Sequence, residues 1–170
     1  MISSKNLEIT GSRHLINWLQ TQQISLALTT YQSSRLFLVG VKADGNLSGF
    51  ERLFDRAMGL YATPERLYMS SRYQLWQFDN VLAAGELDKG YDKLYVPRIA
   101  YTTGDLDIHD LVVDKHQNII FVNTLYNCLA TLSERHSFKP LWQPPDRDSE
   151  YLAQLALADF ALYTFLLCIF

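Results

Sequence analysis

A pattern of short apolar strands joined by polar turns recurs about three times along this chain. Residues 24–30 alternate between apolar and polar side chains, as a half-buried strand does. The apolar run 35–41 is followed by Asp44-Gly45, a dipeptide typical of a tight hairpin turn, and by a third strand over 47–54. Similar strands and turns fall within 59–78 and within 110–132. The repetition predicts a fold built from similar antiparallel units.

The repeat aligns best on the apolar strands that contain Leu36, Leu67 and Ile120, which we predict to be equivalent. Four-stranded meanders of roughly 40–50 residues are the blades of β-propellers. We therefore predict an all-β fold whose antiparallel meanders resemble about three propeller blades. A closed propeller has four or more blades, so three predict an incomplete ring with open sheet edges. An antiparallel sandwich is the alternative.

The two ends of the chain differ from this pattern. Leu15, Ile16 and Leu19 fall at helical spacing, which predicts a short amphipathic helix over about 12–23 with Ser12 or Thr10 as its cap. Residues 151–170 are almost wholly apolar and predict a second helix, which covers a sheet edge or pairs with another chain. We therefore divide the chain into a propeller-like domain, 1–145, and an atypical tail, 146–170.

Composition excludes several classes of protein. Hydrophobic residues make up 48% of the chain and charged residues 19%, a balance that favours a folded domain over disorder. The net charge is −3 and the basic residues are scattered, so we predict no nucleic-acid partner. Asp159 interrupts the apolar tail, which argues against a membrane span. The N-terminal residues lack a signal-peptide core, and we expect a cytoplasmic protein.

The polar stretch 102–110 is the strongest candidate site. In an extended chain, Asp105, Asp107 and His109 project to the same side, because side chains alternate along a strand. Two carboxylates and an imidazole on one face predict a site for a divalent cation or for acid–base chemistry. The spacing does not match a calcium-binding loop. The structural alternative is a loop whose Asp and His side chains bind backbone groups.

Four further residues are predicted to bind a ligand: Arg98, Asp110, Asn123 and Thr124. Asn123 and Thr124 end an apolar strand, where polar side chains either line a central channel or bind neighbouring loops. Cys128 lies among apolar residues and is predicted to be a core residue rather than a nucleophile. No nucleophile elbow, phosphate-binding loop, Cys-x-x-Cys pair or His-Glu-x-x-His motif is present in the sequence.

Several of these runs resemble an uncharacterised bacterial family of conserved hypothetical proteins with a domain of unknown function. The runs that carry the resemblance are 95–98, 103–110, 121–124, 128–131 and 137–145. The resemblance implies a propeller-like all-β fold in a considerably longer chain, and it implies no activity. The sequence departs from the family pattern after Pro145, so we expect a truncated member.

Two functions follow from these patterns. The first is a non-catalytic, propeller-type binding or interaction module, which is favoured by repeated units without a catalytic motif. The alternative is a metal-assisted hydrolase or lactonase-like enzyme with Asp105, Asp107 and His109 near a central cation. We expect any self-association at an open sheet edge or at the apolar C-terminal helix.

Overall fold

Three antiparallel sheets of four strands each form the framework of the described part of the protein. A computed structural model describes residues 9–145 and 168–169. It contains the helix α1 and the following strands: β1 Ile24–Thr30, β2 Arg35–Val41, β3 Leu47–Leu53, β4 Leu60–Ala62, β5 Arg66–Ser70, β6 Gln74–Asn80, β7 Tyr95–Thr102, β8 Ile108–Val113, β9 Ile119–Asn123, β10 Cys128–Thr131, β11 Lys139–Trp142 and β12 Cys168–Ile169. These elements confirm the predicted antiparallel β meanders.

Each sheet is a meander of strands that follow one another in sequence. Sheet 2 has the order β4-β5-β6-β7 and sheet 3 the order β8-β9-β10-β11. Sheet 1 contains β1-β2-β3, with β12 paired to the free edge of β1. Strand β4 contacts both β1 and β8, so the sheets lie side by side in chain order. The described residues form three sheets rather than the two packed sheets of the sandwich alternative.

A hairpin of the same length joins the second and third strand positions of every sheet. Four residues separate the last paired residues in each case: Thr30 and Arg35 in sheet 1, Ser70 and Leu75 in sheet 2, and Asn123 and Cys128 in sheet 3. Strands β1, β5 and β9 are therefore equivalent. The predicted alignment of Leu36 with Leu67 and Ile120 is wrong, because Leu36 lies one strand later, in β2. In sheet 1 the position of β4 and β8 is filled by β12, from a distant part of the sequence.

Most of the helix predicted over 151–170 lies outside the described residues. Its last part is wrong, because Cys168–Ile169 is a strand and pairs antiparallel with Ile24 and Ser25 of β1. The free edge of β1 has backbone donors and acceptors that need partners, and a strand satisfies them where a helix does not. Within the described ranges, no helix is long and apolar enough to cross a membrane.

The predicted N-terminal helix is present as α1, Leu15–Gln22. It is shorter than predicted, and its N-cap is His14 without a side-chain cap, so the expected role of Ser12 or Thr10 is wrong. The helix ends at Gln23, whose left-handed backbone (φ 53°) directs its N–H to carbonyls of the last turn. Leu19 is buried as α1 packs on β1 and β2.

Two strands, β7 and β11, were not predicted from the pattern of apolar residues. Each contains a proline, and proline lacks the N–H that an inner strand must donate. Both strands lie at sheet edges, where that loss is tolerated. Each pairing also shifts register beside the proline, which leaves Arg98 and Leu141 as extra residues. All of β11 and most of β7 are exposed to solvent.

Two apolar cores hold the sheets together. The core between sheets 1 and 2 consists of Ala27, Leu36, Ala57, Leu60, Leu67, Met69 and Phe78. The core between sheets 2 and 3 consists of Tyr68, Leu75, Leu106, Ile108, Leu111, Val113, Ile119, Phe121, Cys128 and Ala130. Strand β5 contributes to both, since alternate side chains point to opposite faces.

Buried hydrogen bonds add to the contact between sheets 2 and 3. The Ser70 hydroxyl donates to the Ile108 carbonyl at 2.8 Å and accepts the Gly59 N–H at 2.8 Å. Gly59 passes so close to β8 that a Cβ atom there would lie 2.9 Å from the Asp110 Cα. A side chain at position 59 would therefore force the two backbones apart.

Candidate functional site

The stretch predicted as a site is a turn followed by a strand. Gly104 and Asp107 have left-handed backbones (φ 78° and 51°), and β8 begins at Ile108. The segment is therefore not extended before Ile108, and Asp105, Asp107 and His109 do not lie on one face of a strand. Aspartate adopts this conformation more readily than most side chains, which is why the turn fits the sequence.

Two arginines from the loops of neighbouring sheets bind the aspartates. Arg56, just after β3, donates to Asp105 Oδ2 at 3.3 Å and to Asp107 Oδ1 at 2.9 Å. Arg72, after β5, donates through Nε to the same Asp105 oxygen at 3.1 Å. We call Arg56, Arg72, Asp105 and Asp107 the arginine–aspartate cluster. It joins loops from all three sheets at one end of the molecule.

Each arginine of the cluster also lies against a tyrosine. The Arg56 guanidinium is 5.1 Å from the Tyr31 ring centre and donates to the Tyr31 hydroxyl at 2.9 Å. This hydrogen bond, followed by the two carboxylates, raises the pKa of Arg56. The Arg72 guanidinium lies 5.0 Å from the Tyr73 ring centre, and its bond to Asp105 raises its pKa. Both arginines therefore remain charged.

His109 lies beside the cluster and contacts Thr124. Its Nδ1 is 2.7 Å from the Thr124 hydroxyl, 3.0 Å from the Asp107 carbonyl oxygen and 4.0 Å from Asp107 Oδ2. The structure thus brings together two candidates that the sequence placed apart. A catalytic triad needs the carboxylate and the hydroxyl on opposite ring nitrogens. Here both approach Nδ1, which does not fit proton relay.

The other predicted residues have different surroundings. Asn123 is fully buried; its Oδ1 accepts the Tyr126 N–H at 3.2 Å, and its Nδ2 has no hydrogen-bond partner among the described residues. Asp110 accepts the Leu111 N–H at 2.8 Å. Arg98 lies away from the cluster, on β7, with its Nε 4.0 Å from Asp79 Oδ2. The structure does not bring Arg98 to the site.

The three equivalent hairpin loops, 31–34, 71–73 and 124–127, lie at the same end of the sheets as the arginine–aspartate cluster. We call this end of the sheets the hairpin end. Backbone bonds fix the segments that lie between the loops: Arg72 donates to Asp55, Thr103 to Tyr73, and Leu125 to Leu106. The cluster therefore occupies the middle of a surface to which every sheet contributes one hairpin.

A family model for a domain of unknown function matches residues 13–154 of the chain. The chain belongs to the DUF4915 family. The matched range confirms the resemblance to an uncharacterised family, and it extends past Pro145, where we had placed its end. No curated protein matches the chain significantly.

The predicted cation site of this DUF4915 chain is untested and stays a prediction. Among residues 9–145 and 168–169, no three His, Cys, Asp or Glu side chains converge as metal ligands do. The aspartates instead face two arginines, whose charges oppose a nearby cation. Cys128 is fully buried, and burial raises the pKa of its thiol, which is consistent with a core residue.

Sequence reasoning missed Arg56 and Arg72 of the DUF4915 chain. Their partners are 49 and 33 residues away in sequence, and arginines in turns ordinarily point to solvent. The sequence did contain a pattern that could have indicated them, because both arginines lie in loops directly after predicted strands. Opposite charges at the same end of neighbouring sheets are expected to pair.

Burial of Asp110 predicts a pH-dependent cost to the stability of the DUF4915 chain. Removal from water raises the pKa of its carboxyl above 3.8, more than the Leu111 N–H lowers it. The folded state then binds more protons than the unfolded state between 3.8 and the raised pKa, so stability falls as pH rises through this window. Asp110→Asn keeps the acceptor and is expected to stabilise the fold at pH 7, where the wild-type carboxyl is ionised although partly removed from water.

Thermal or urea unfolding of wild type and Asp110→Asn at several pH values measures this effect. The gain should shrink as pH falls towards 3.8. Asp44→Asn is the matched control, because Asp44 is exposed and the Asn46 N–H that its carboxylate accepts lowers its pKa instead. An equal gain at every pH would contradict the assignment to Asp110 ionisation.

Proposed function

We propose that this chain is a non-catalytic binding module with propeller-like sheets, and that it binds a protein partner at the hairpin end. One observation carries the proposal: each equivalent hairpin loop presents an exposed aromatic side chain around the arginine–aspartate cluster. Tyr31, Tyr73 and Tyr126 are 48%, 46% and 53% exposed. Large exposed aromatics on three equivalent loops are unusual on a surface that only faces water.

The order of the sheets supports a propeller-like arrangement. Consecutive four-stranded meanders lie side by side, with β4 of sheet 2 against β1 of sheet 1 and against β8 of sheet 3. Strand β12 adds a distant part of the chain to sheet 1, in the position that β4 and β8 have in their own sheets. Propellers use the ends of their blades, where hairpin loops meet, as binding surfaces, and the hairpin end has this position.

The residue types favour a protein as the partner. Tyrosine and arginine are enriched among the residues that contribute most to protein–protein affinity. Tyr31 and Tyr73 are each held against an arginine that is fixed in turn by an aspartate. Side chains already ordered before binding lose less conformational entropy when the partner arrives. Tyr126 is supported differently, by the Phe138 ring 5.1 Å away.

The enzyme alternative stays a prediction. His109 is the exposed side chain that would take part in its chemistry. A metal-assisted hydrolase requires Asp105 and Asp107 to exchange their arginine partners for a cation. That exchange costs several charge-assisted hydrogen bonds, which are stronger than neutral ones. The binding proposal needs no such rearrangement.

Site-specific cross-linking tests the proposal directly. A photoreactive benzoylphenylalanine at position 73 is expected to give a discrete protein adduct in extract of the cells that make this protein. The same group at position 91 is the matched control, since Tyr91 is also exposed, at 44%, but lies in the loop between β6 and β7. Adducts of equal yield at both positions, or none at 73, would contradict the hairpin end as the interface.

A turnover screen tests the non-catalytic part of the proposal. The intact chain is expected to hydrolyse no ester, lactone or phosphoester, with or without calcium, magnesium, manganese or zinc. Calorimetric titration of the same four metals checks whether any cation binds. Robust metal-dependent turnover that His109→Ala abolishes would establish the enzyme alternative and overturn the proposal.

A further inference from the structure

The gap between sheets 1 and 2 is closed by aromatic rings. Phe54, just after β3, meets Trp76 and Phe78 of β6 edge to face, with ring centres 5.4 and 5.7 Å apart. Trp76 and Phe78 stack on each other at 6.2 Å. Leu67 and Met69 lie beneath these rings without exposure to solvent. The side chains between sheets 1 and 2 are therefore apolar from the inner strands to β3 and β6.

The gap between sheets 2 and 3 is apolar only in its inner part, around Phe121. Further out it contains two cavities of about 300 and 380 Å³, both lined by Arg66, Tyr68 and Gln117. Small-molecule sites have volumes of roughly 300–1,000 Å³. We call the two cavities together the outer cleft. They lie away from the hairpin end, and the first adjoins the β4–β5 and β8–β9 turns at the opposite end of the sheets.

The charged residues that line the outer cleft are Arg66, Lys115 and Asp114, and the Asp79 carboxylate adjoins Arg66. The Arg66 Nε is 3.4 Å from Asp79 Oδ1, so its charge has a partner. Lys115 lies beside Asp114, whose carboxylate is held by the Asn118 side chain and backbone, which lower its pKa. The cleft thus lacks the excess charge that selects an ion.

The remaining polar groups are amides and hydroxyls. Gln77, Asn118 and Thr131 line the second cavity, and Thr63 lines the first. Arg66 donates through Nη1 to Gln117 Oε1 at 3.2 Å, which orients this amide in the absence of a ligand. Amides present donors and acceptors side by side, as pairs of neighbouring hydroxyls require.

Tyrosine rings supply flat apolar walls. Tyr61 and Tyr68 line the first cavity with their ring centres 6.3 Å apart, and Tyr101 of β7 lines the second. Sugar rings have apolar C–H groups on their faces and hydroxyl groups at their edges. Aromatic rings can pack against the C–H groups, and neutral amides and hydroxyls can form hydrogen bonds with the sugar hydroxyls. We propose that the outer cleft binds a neutral saccharide, at a site separate from the protein-binding hairpin end.

Calorimetric titration of the intact chain with maltotriose and with cellotriose tests this proposal. At least one is expected to bind saturably. Tyr101→Ala removes a ring wall and Gln117→Ala removes the oriented amide, and each is expected to weaken binding by about tenfold or more. Tyr91→Ala is the matched control, because this exposed tyrosine lies outside the cleft and its loss should leave the affinity unchanged.

Three results would overturn the proposal. They are no saturable binding of either trisaccharide, binding that survives both Tyr101→Ala and Gln117→Ala, and tighter binding of trigalacturonate than of the neutral sugars. Circular dichroism of each variant distinguishes loss of binding from loss of fold. Cross-linking at position 73 tests the other end of the sheets, so either proposal can fail without the other.

Discussion

Replacement of Phe121 by alanine is expected to destabilise the fold by about 3–5 kcal/mol, the usual cost of removing a fully buried aromatic ring. Phe121 has no exposed surface and lies on β9 in the core between sheets 2 and 3. Its loss leaves a cavity in the core that also contains Leu75 and Leu111, and the cost depends on how far such neighbours can move into it. Urea unfolding monitored by tryptophan fluorescence and by circular dichroism measures the change.

Phe50→Ala is the matched control for this prediction. Phe50 lies on β3, is 47% exposed and packs mainly under the Arg52 guanidinium at 4.4 Å. Its removal is expected to cost less than about 1 kcal/mol. Hydrogen exchange adds a spatial test, since Phe121→Ala should lower protection in β8–β10 more than in β2 and β3. Equal destabilisation by both substitutions would contradict the assignment of Phe121 to the core.

Ser70→Ala is expected to cost about 2–4 kcal/mol, although it removes a single oxygen atom. The hydroxyl is fully buried, and its removal leaves the Gly59 N–H and the Ile108 carbonyl without this partner. Each buried group without a hydrogen bond costs roughly 1–3 kcal/mol. The close approach of Gly59 to β8 leaves little room for a water molecule to replace the oxygen.

The unfolding free energy from urea denaturation measures this loss. Ser33→Ala is the control, because the Ser33 hydroxyl is exposed and bonds to Thr30 in a surface turn. We expect it to change stability by less than about 0.5 kcal/mol. A Ser70→Ala protein as stable as Ser33→Ala would show that the link between sheets 2 and 3 does not depend on this hydroxyl.

The strands that alternate apolar and polar side chains could be predicted from the sequence, and so could the Asp44-Gly45 turn. Burial on one face imposes that alternation, so the signal is local. Strands β7 and β11 could not be predicted, because they contain prolines and exposed side chains. Such residues are tolerated in a strand at the edge of a sheet, and only the tertiary fold determines which strands lie at an edge. The equivalence of β1 with β5 and β9 could not be predicted either. It requires a strand on the other side of β1, and that strand, β12, comes from a distant part of the sequence.

The candidate site was predicted in part. The stretch 105–109 and Thr124 were both chosen, and the structure brings His109 to Thr124. Their geometry was not predictable, because it depends on the left-handed backbone of Asp107 and on arginines from two other sheets. Arg98 was chosen in their place, since a local pattern cannot distinguish an arginine on an edge strand from one that meets a carboxylate.

The pairing of consecutive strands has a consequence for the rate of folding. Every ladder from β1 to β11 joins neighbours in sequence, so most loops that close during folding are short. Short loops cost less conformational entropy to close than long ones, so these ladders form more readily than a pairing of distant segments. The β1–β12 ladder is the exception, since Ile24 pairs with Ile169. We therefore expect the three hairpins to form early and independently, and the β1–β12 ladder to form last, as a separate slow step in refolding.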